Sequence, residues 1–363
     1  MRRQFKNFDM VIVICICVIF IIGLLFLYSA SKSLEENVYE KRMIKQILSM
    51  LIGVFAGTIV FSIDYRKLLD LSYLFYWLMN FLLFFVLVLG AIRLGAQRWI
   101  SIGGIAFQPS EFAKIIFILA IASFLGRRKE SIENKRNIIK PLFLLGVPFF
   151  LIAAQPDLGT ALVLIPVFFA MLFISGINVK VLLGFIGAGV MTTPFLWHFL
   201  KEYQRKRILV FLNPNIDPLG AGYTIIQSKV AIGSGQLFGK GWLSGTQNQL
   251  NFLPERHTDF IFSVVGEEWG FVGCSIVLLL YFIIIYRGII IMRETKDLYG
   301  KLIACGVVSL LSFQIFINIG MTIGLLPVVG LTLPFISYGG SSLISSIMAV
   351  ALLLNVGYRK PYF

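Results

Sequence analysis

Histidine is nearly absent from this 363-residue chain, cysteine is scarce and charge is thin, and each shortage removes a class of chemistry. The two histidines, His198 and His257, lie too far apart in the chain for a zinc site, so any metal would be a hard cation held on carboxylate oxygens. Cys15, Cys17, Cys274 and Cys305 all fall within apolar runs and form no Cys-x-x-Cys pair, which argues against redox and thiolate-metal roles. Charged residues make up 14% against 58% hydrophobic, with mean hydropathy +0.87, a balance foreign to soluble domains. There is no internal repeat, low-complexity tract or separable soluble domain, and nothing suggests a nucleic acid partner.

What the chain has is apolar length. Crossing a bilayer takes about 20 residues, and suitable runs lie near 9–29, 44–63, 72–92, 110–126, 139–155, 158–175, 180–200, 260–286, 302–324 and 336–357. They predict an all-α integral membrane protein with a single polytopic domain of about ten transmembrane helices. A long segment, 201–259, separates the seventh from the eighth. Only Gln155-Pro156-Asp157 divides the fifth run from the sixth, so a re-entrant hairpin is the alternative there. Arg2, Arg3 and Lys6 before the first run, and small residues after it, imitate a signal peptide; the length of the run favours a retained helix.

Basic residues orient the chain. With ten spans, Arg2, Arg3, Lys6, Arg66, Lys67, Arg127, Arg128, Lys129, Lys135, Arg136, Lys140, Lys180, Arg287, Arg293, Lys296, Lys301, Arg359 and Lys360 fall on one side. The short loops opposite carry only Lys32, Lys41, Arg42, Lys45, Arg93 and Arg98. The positive-inside rule therefore predicts that both termini are cytoplasmic and that 201–259 is extracytoplasmic. That segment holds Lys201, Arg205, Lys206, Arg207, Lys229, Lys240 and Arg256, more cations than acids, which suits an anionic ligand or anionic headgroups. Within it, Tyr223 to Ile232 reads as an amphipathic surface helix. The glycines from Gly233 to Gly241 lack the strand and hydroxyl of a nucleotide loop, and read as a flexible loop with exposed backbone.

Acids at membrane depth are costly and so informative. Asp259 ends a polar stretch just where Phe260, Ile261, Phe262, Val264 and Val265 begin a span. It reads either as a helix cap or as a poorly hydrated general base, with Phe252, Phe260 and Phe262 raising its pKa and the helix N-terminus lowering it. By helical period Glu267 lies about 80° around from it and Glu268 opposite, so of the two only Glu267 suits a shared cavity with Asp259. Asp157 reads as a helix cap. Glu111 and Lys114, three apart, suit a buried ion pair, or a cation offered to phosphate together with Arg98 and Gln108. A base, a cationic outer segment and a site at headgroup depth fit sugar transfer from a lipid pyrophosphate. Pyrophosphate leaves without the acid that a glycosidase needs, so one carboxylate suffices.

Several ordered motifs carry a family resemblance. They include Gly95-Ala96-Gln97-Arg98-Trp99, Phe107-Gln108-Pro109-Ser110-Glu111, Ala154-Gln155-Pro156-Asp157-Leu158-Gly159-Thr160 and Asp217-Pro218-Leu219-Gly220-Ala221-Gly222-Tyr223. Further on come Phe252-Leu253-Pro254-Glu255-Arg256-His257-Thr258-Asp259-Phe260 and Pro334-Phe335-Ile336-Ser337-Tyr338-Gly339-Gly340-Ser341. Over nearly its whole length the chain resembles the SEDS family (shape, elongation, division and sporulation) of peptidoglycan glycosyltransferases. Arg256-His257 and Gly245-Thr246-Gln247 favour its elongation branch.

The resemblance implies ten spans in the bacterial inner membrane and polymerisation of lipid II, onto a polyprenyl-linked glycan, at the outer face. It implies Asp259 as the essential acid, a class B penicillin-binding protein and other elongation-complex proteins as partners, and a divalent cation (Mg or Mn) whose ligands are not legible. On this footing Arg98, Lys114, Arg205, Arg207 and Lys240 are candidates for holding pyrophosphate, with Glu111 orienting Lys114. The rival expectation is a lipid II flippase or transporter, in which the same charges line a pathway.

Overall fold

The computed structural model describes residues 8–32, 36–93, 96–102, 105–127, 139–200 and 202–359. The expectations placed on Arg2, Arg3, Lys6, Gly95, Arg128, Lys129, Lys135, Arg136, Lys201 and Lys360 lie outside them. Every predicted apolar run contains a helix: α1 (Met10–Ser31), α2 (Glu36–Ser62), α4 (Ser72–Leu89), α5 (Pro109–Gly126), α6 (Ile139–Ala154), α7 (Leu158–Ile174), α8 (Val179–Phe199), α12 (Ile261–Glu294), α13 (Leu298–Thr322) and α14 (Gly340–Tyr358). Seven are long and apolar enough to cross a membrane, while α6, α7 and α8 include shorter apolar stretches. The described residues also hold the short helices α3 (Tyr65–Asp70), α9 (Glu202–Leu212), α10 (Ala221–Ser234) and α11 (Thr246–Gln249), and a 3-10 turn at Pro214–Ile216. The expected surface helix at 223–232 is α10, which buries Ile225, Ser228 and Ala231 and ties Ser228 to Ser263 and to the Thr322 carbonyl.

Helices α5, α7 and α13 form the centre, and apolar faces of α2, α4 and α12 are left outward, as expected of helices whose solvent is lipid. Proline in α6 shows how this packing repairs its own defects. Pro148 cannot donate to the Leu144 carbonyl, and the Tyr76 hydroxyl from α4 donates to it instead, at 3.0 Å.

Three features depart from the expectation. The third span was expected to run to residue 92 and a short loop to follow it, but β1 (Ala91–Arg93), β2 (Ala96–Ile102) and β3 (Ile105–Phe107) form an antiparallel sheet there. The second departure is a break in α12 at Gly270, whose φ of 63° and ψ of −157° only glycine adopts readily. The glycine-rich loop fills it: Phe271 and Val272 N–H donate to Gln236 and Leu237 carbonyls, while Lys240 and Gly241 N–H donate to Glu267 and Glu268 carbonyls. That loop is therefore bonded rather than backbone-exposed. A helix interrupted at membrane depth has to recover its backbone partners from protein.

The third departure lies between α13 and α14. The last span was expected from residue 336, yet helix starts at Gly340, and 331–338 is a buried irregular segment. Its Ile336 backbone packs so closely on Gly23 of α1 that a Cβ there would come within 2.8 Å. Gly23 is eight residues before the end of α1, roughly 12 Å at helical rise. Irregular backbone thus reaches well below the end of the span, enclosed by protein.

Candidate active site at Asp259

Asp259 sits on a tight turn just before α12. Glu255, in left-handed conformation with φ 49°, offers one carbonyl to the N–H groups of Thr258, Asp259 and Phe260 at 3.1, 3.1 and 3.3 Å. The irregular segment fastens the turn from the other side. Tyr338 N–H donates to the His257 carbonyl at 2.9 Å, and the Ser337 hydroxyl to the Thr258 carbonyl at 2.6 Å. Asn318 of α13 donates to the carbonyls of Asp259 and Leu331. Phe260 and Phe262 are buried as expected, whereas Phe252 is exposed and forms no wall.

The carboxylate itself is open. The N-cap of α12 is Phe260 and no side chain caps it, so the helix-cap reading of Asp259 fails. Other inward-facing acids have counter-groups. Glu111 holds Lys114 at 2.8 Å and accepts from Ser345; Glu267 holds Lys240 at 2.9 Å; Asp9 holds Arg287 at 2.7 Å. Glu268 accepts from Ser29, Asn248 and the Leu243 N–H. Asp259 accepts no side-chain hydrogen bond from any described residue, and its side chain is only partly exposed.

Its pKa is pushed up from 3.8 to about 7, by burial first and then by the charge of Glu255, against which Arg207 and Arg98 pull down, with Asp157 a further raising charge. The sign left open by residue types is thus upward. Gly330, at φ 74°, faces the carboxylate, and a Cβ there would lie 3.5 Å from Oδ2. Next door, burial and the charges of Arg42 and Arg256 lower the His257 pKa to about 4, so its ring is neutral at pH 7.

The candidate cations are placed unequally. Arg98 is tied to the turn between α6 and α7: Nε donates to the Gln155 carbonyl at 3.1 Å, Nη2 donates to the Pro156 carbonyl, and Nη1 lies 3.6 Å from Asp157. Asp157 occupies the N-cap position of α7 but makes no capping bond. It accepts instead from Gln108 and Ser110, both at 3.1 Å, which corrects the capping expectation. Lys114 and Glu111 pair as predicted, in the first two turns of α5, with Lys114 only 2% exposed. Arg205 donates to the Trp197 and His198 carbonyls near the end of α8. Arg207 lies over the Tyr203 ring and its charge reaches Asp259.

Lys240 belongs to the loop that fills the α12 break, bonded to Thr246 and Glu267. Glu267 also accepts from the N–H groups of Gln247 and Asn248, so the idea that it shares a cavity with Asp259 is replaced by a structural role. Residue types alone missed Glu255, Asn318 and Gly330. The four-residue spacing of Glu255 from Asp259 was the one available signal.

A sequence model of the FtsW/RodA/SpoVE family, described as cell cycle protein, matches residues 9–362. The chain belongs to this family. Among its relatives, the peptidoglycan glycosyltransferase MrdB of Escherichia coli K12 is 47% identical over 272 residues, 74% of this chain and 72% of that protein. FtsW/RodA/SpoVE architecture is also evident in solved structures. A chain from work on the structural coordination of polymerization and crosslinking by a peptidoglycan synthase complex matches with TM-score 0.83 and 32% identity, covering 96% of this chain and 97% of that one. The rod shape determining protein RodA of Thermus thermophilus matches with TM-score 0.73 and 30% identity, covering 98% of each.

Proposed function

We propose that this FtsW/RodA/SpoVE member is a peptidoglycan glycosyltransferase that polymerises lipid II at the outer face of the bacterial inner membrane, with both termini cytoplasmic. The observation that carries the reading is the Asp259 carboxyl, which is partly buried, raised toward neutral pH and held on a fixed turn without a counter-ion among the described residues, while Glu111 and Glu267 each hold a lysine. A carboxyl that titrates near neutral pH suits a general base. Asp259 takes the proton of the GlcNAc 4-hydroxyl of one lipid II. That oxygen bonds to the anomeric carbon of the polyprenyl-linked strand with inversion, and the C1–O bond to pyrophosphate breaks with its electron pair staying on phosphate.

Arg207 is the candidate cation best suited to the pyrophosphate, because its charge acts at Asp259 without an ion pair of its own among the described residues. Arg98 contributes mainly by fixing Asp157, and Lys114 with Glu111 by holding α5 to α14. Among the described residues no three His, Cys, Asp or Glu side chains gather as metal ligands, and no step is routed through a divalent cation. A class B penicillin-binding protein is the expected partner, in keeping with the similarity to a chain of a synthase complex.

The test is purified protein with labelled lipid II and that partner. Asp259→Asn and Asp259→Ala should lose polymer by about 100-fold or more. Polymer near the wild-type yield would reject the base, and movement of lipid II without any new glycan bond would favour a flippase.

A further inference from the structure

Resting on the reading of Asp259 as the base, the geometry points to Asn318 as the positioning residue that sets where the carboxyl stands. Asn318 is fully buried in α13, and its single Nδ2 donates to the carbonyls of Asp259 at 3.0 Å and Leu331 at 2.6 Å. These two carbonyls belong to different irregular segments. One carries the acid, and the other follows Gly330, whose Cα side lies against Asp259 Oδ2. One amide group therefore fixes the distance between the carboxylate and the backbone that walls it.

Flipping the amide would turn Oδ1 toward two carbonyl oxygens, so the acceptors themselves decide its orientation. That leaves Oδ1 buried without a hydrogen-bond partner. What the amide does here is join the two carbonyls, and leucine of the same volume would leave both without this donor and the two segments untied.

Loosening the turn should let water reach the carboxyl and so return its titration toward the ordinary carboxylate range. The charged groups acting on Asp259 are Glu255 on its own turn, Arg207 on α9, Arg98 on β2 and Asp157 before α7, and Asn318→Leu alters none of them.

The experiment compares wild type, Asn318→Leu and Gln314→Leu, a buried neighbour one turn away on α13. Full-length proteins with the penicillin-binding partner are assayed for lipid II polymerisation across pH. In parallel, the infrared carboxyl band that disappears in Asp259→Asn is titrated, a readout independent of turnover. Asn318→Leu should lower kcat by about 10- to 100-fold with KM nearly unchanged, and move both the acid limb and the infrared midpoint to lower pH. Gln314→Leu should leave both midpoints in place. An active wild type beside an Asn318→Leu protein with unchanged kcat and midpoints overturns the positioning role and leaves the transferase standing. Loss of activity with thermal destabilisation but an unmoved infrared midpoint also overturns it. A wild type that makes no polymer, with the infrared midpoint still lowered by Asn318→Leu, overturns the transferase and keeps the positioning.

Discussion

Replacing Asp259 by Asn should make the protein inactive and, above neutral pH, more stable. The folded-state pKa of about 7 lies above the ordinary 3.8, so folding favours the protonated carboxyl. Stability from this group is fully present below about pH 4, falls as pH rises through 7, and stays low above it. A displacement of about three units corresponds to about 4 kcal/mol, discounted to about 2–4 because the side chain keeps some contact with water. Asparagine mimics the protonated acid and does not titrate. The variant should therefore lie closest to wild type near pH 4.5 and exceed it by several degrees in thermal midpoint at pH 8, measured in detergent. Activity should show the opposite sign: wild-type kcat/KM falls about tenfold per pH unit below 7. A thermal difference that does not grow between pH 4.5 and 8 would refute the claim that Asp259 is held ionised at a cost.

Other outcomes follow from the same contacts. Glu255→Gln removes the like charge nearest in effect to Asp259, so the acid limb of the rate profile should move to lower pH, whereas Arg207→Gln should move it higher. Gly270→Ala would place a Cβ 2.3 Å from the Gly239 nitrogen in a left-handed conformation and disturb four backbone hydrogen bonds. It should cost about 3 kcal/mol or more, read as a lowered thermal midpoint. Lys114→Met strands the Glu111 carboxylate and should cost about 3–5 kcal/mol, which Glu111→Gln added to it should largely restore. Polymer yield in that double variant tells whether Lys114 has any role in holding substrate.

The helices were legible because hydrophobic length is a local property, and the ten apolar runs each became a helix with ends moved by a few residues in most cases. Longer shifts came where polar residues extend a helix beyond its apolar run, as at Glu40 to Arg42 in α2. Asp259 was legible from its position between polar chain and apolar helix. What escaped the residue types were partnerships between distant segments. Lys240 looked like a free cation in an outer loop, but nothing near it in the sequence announces Glu267. Asp157 had the right residue type for a cap, and only the approach of Arg98, Gln108 and Ser110 diverted it.

Two irregular passages account for both the misread residues and the site. At the α12 break, the 235–241 loop supplies backbone partners to helix ends, and buried Glu267 and Glu268 fasten the chain from Leu243 to Asn248 above it. Between α13 and α14, the 331–338 segment supplies Ser337 and Tyr338 to the turn that bears Asp259. The fully buried stretch Ile261–Glu268 joins these two interlocks, so the acid is fixed at both ends of one short helix. On the proposed reading, a substrate hydroxyl arriving from a lipid-linked sugar meets a base that need not move. On that reading the motion that brings two bilayer-tethered substrates together is the substrates' own and not that of the Asp259 turn.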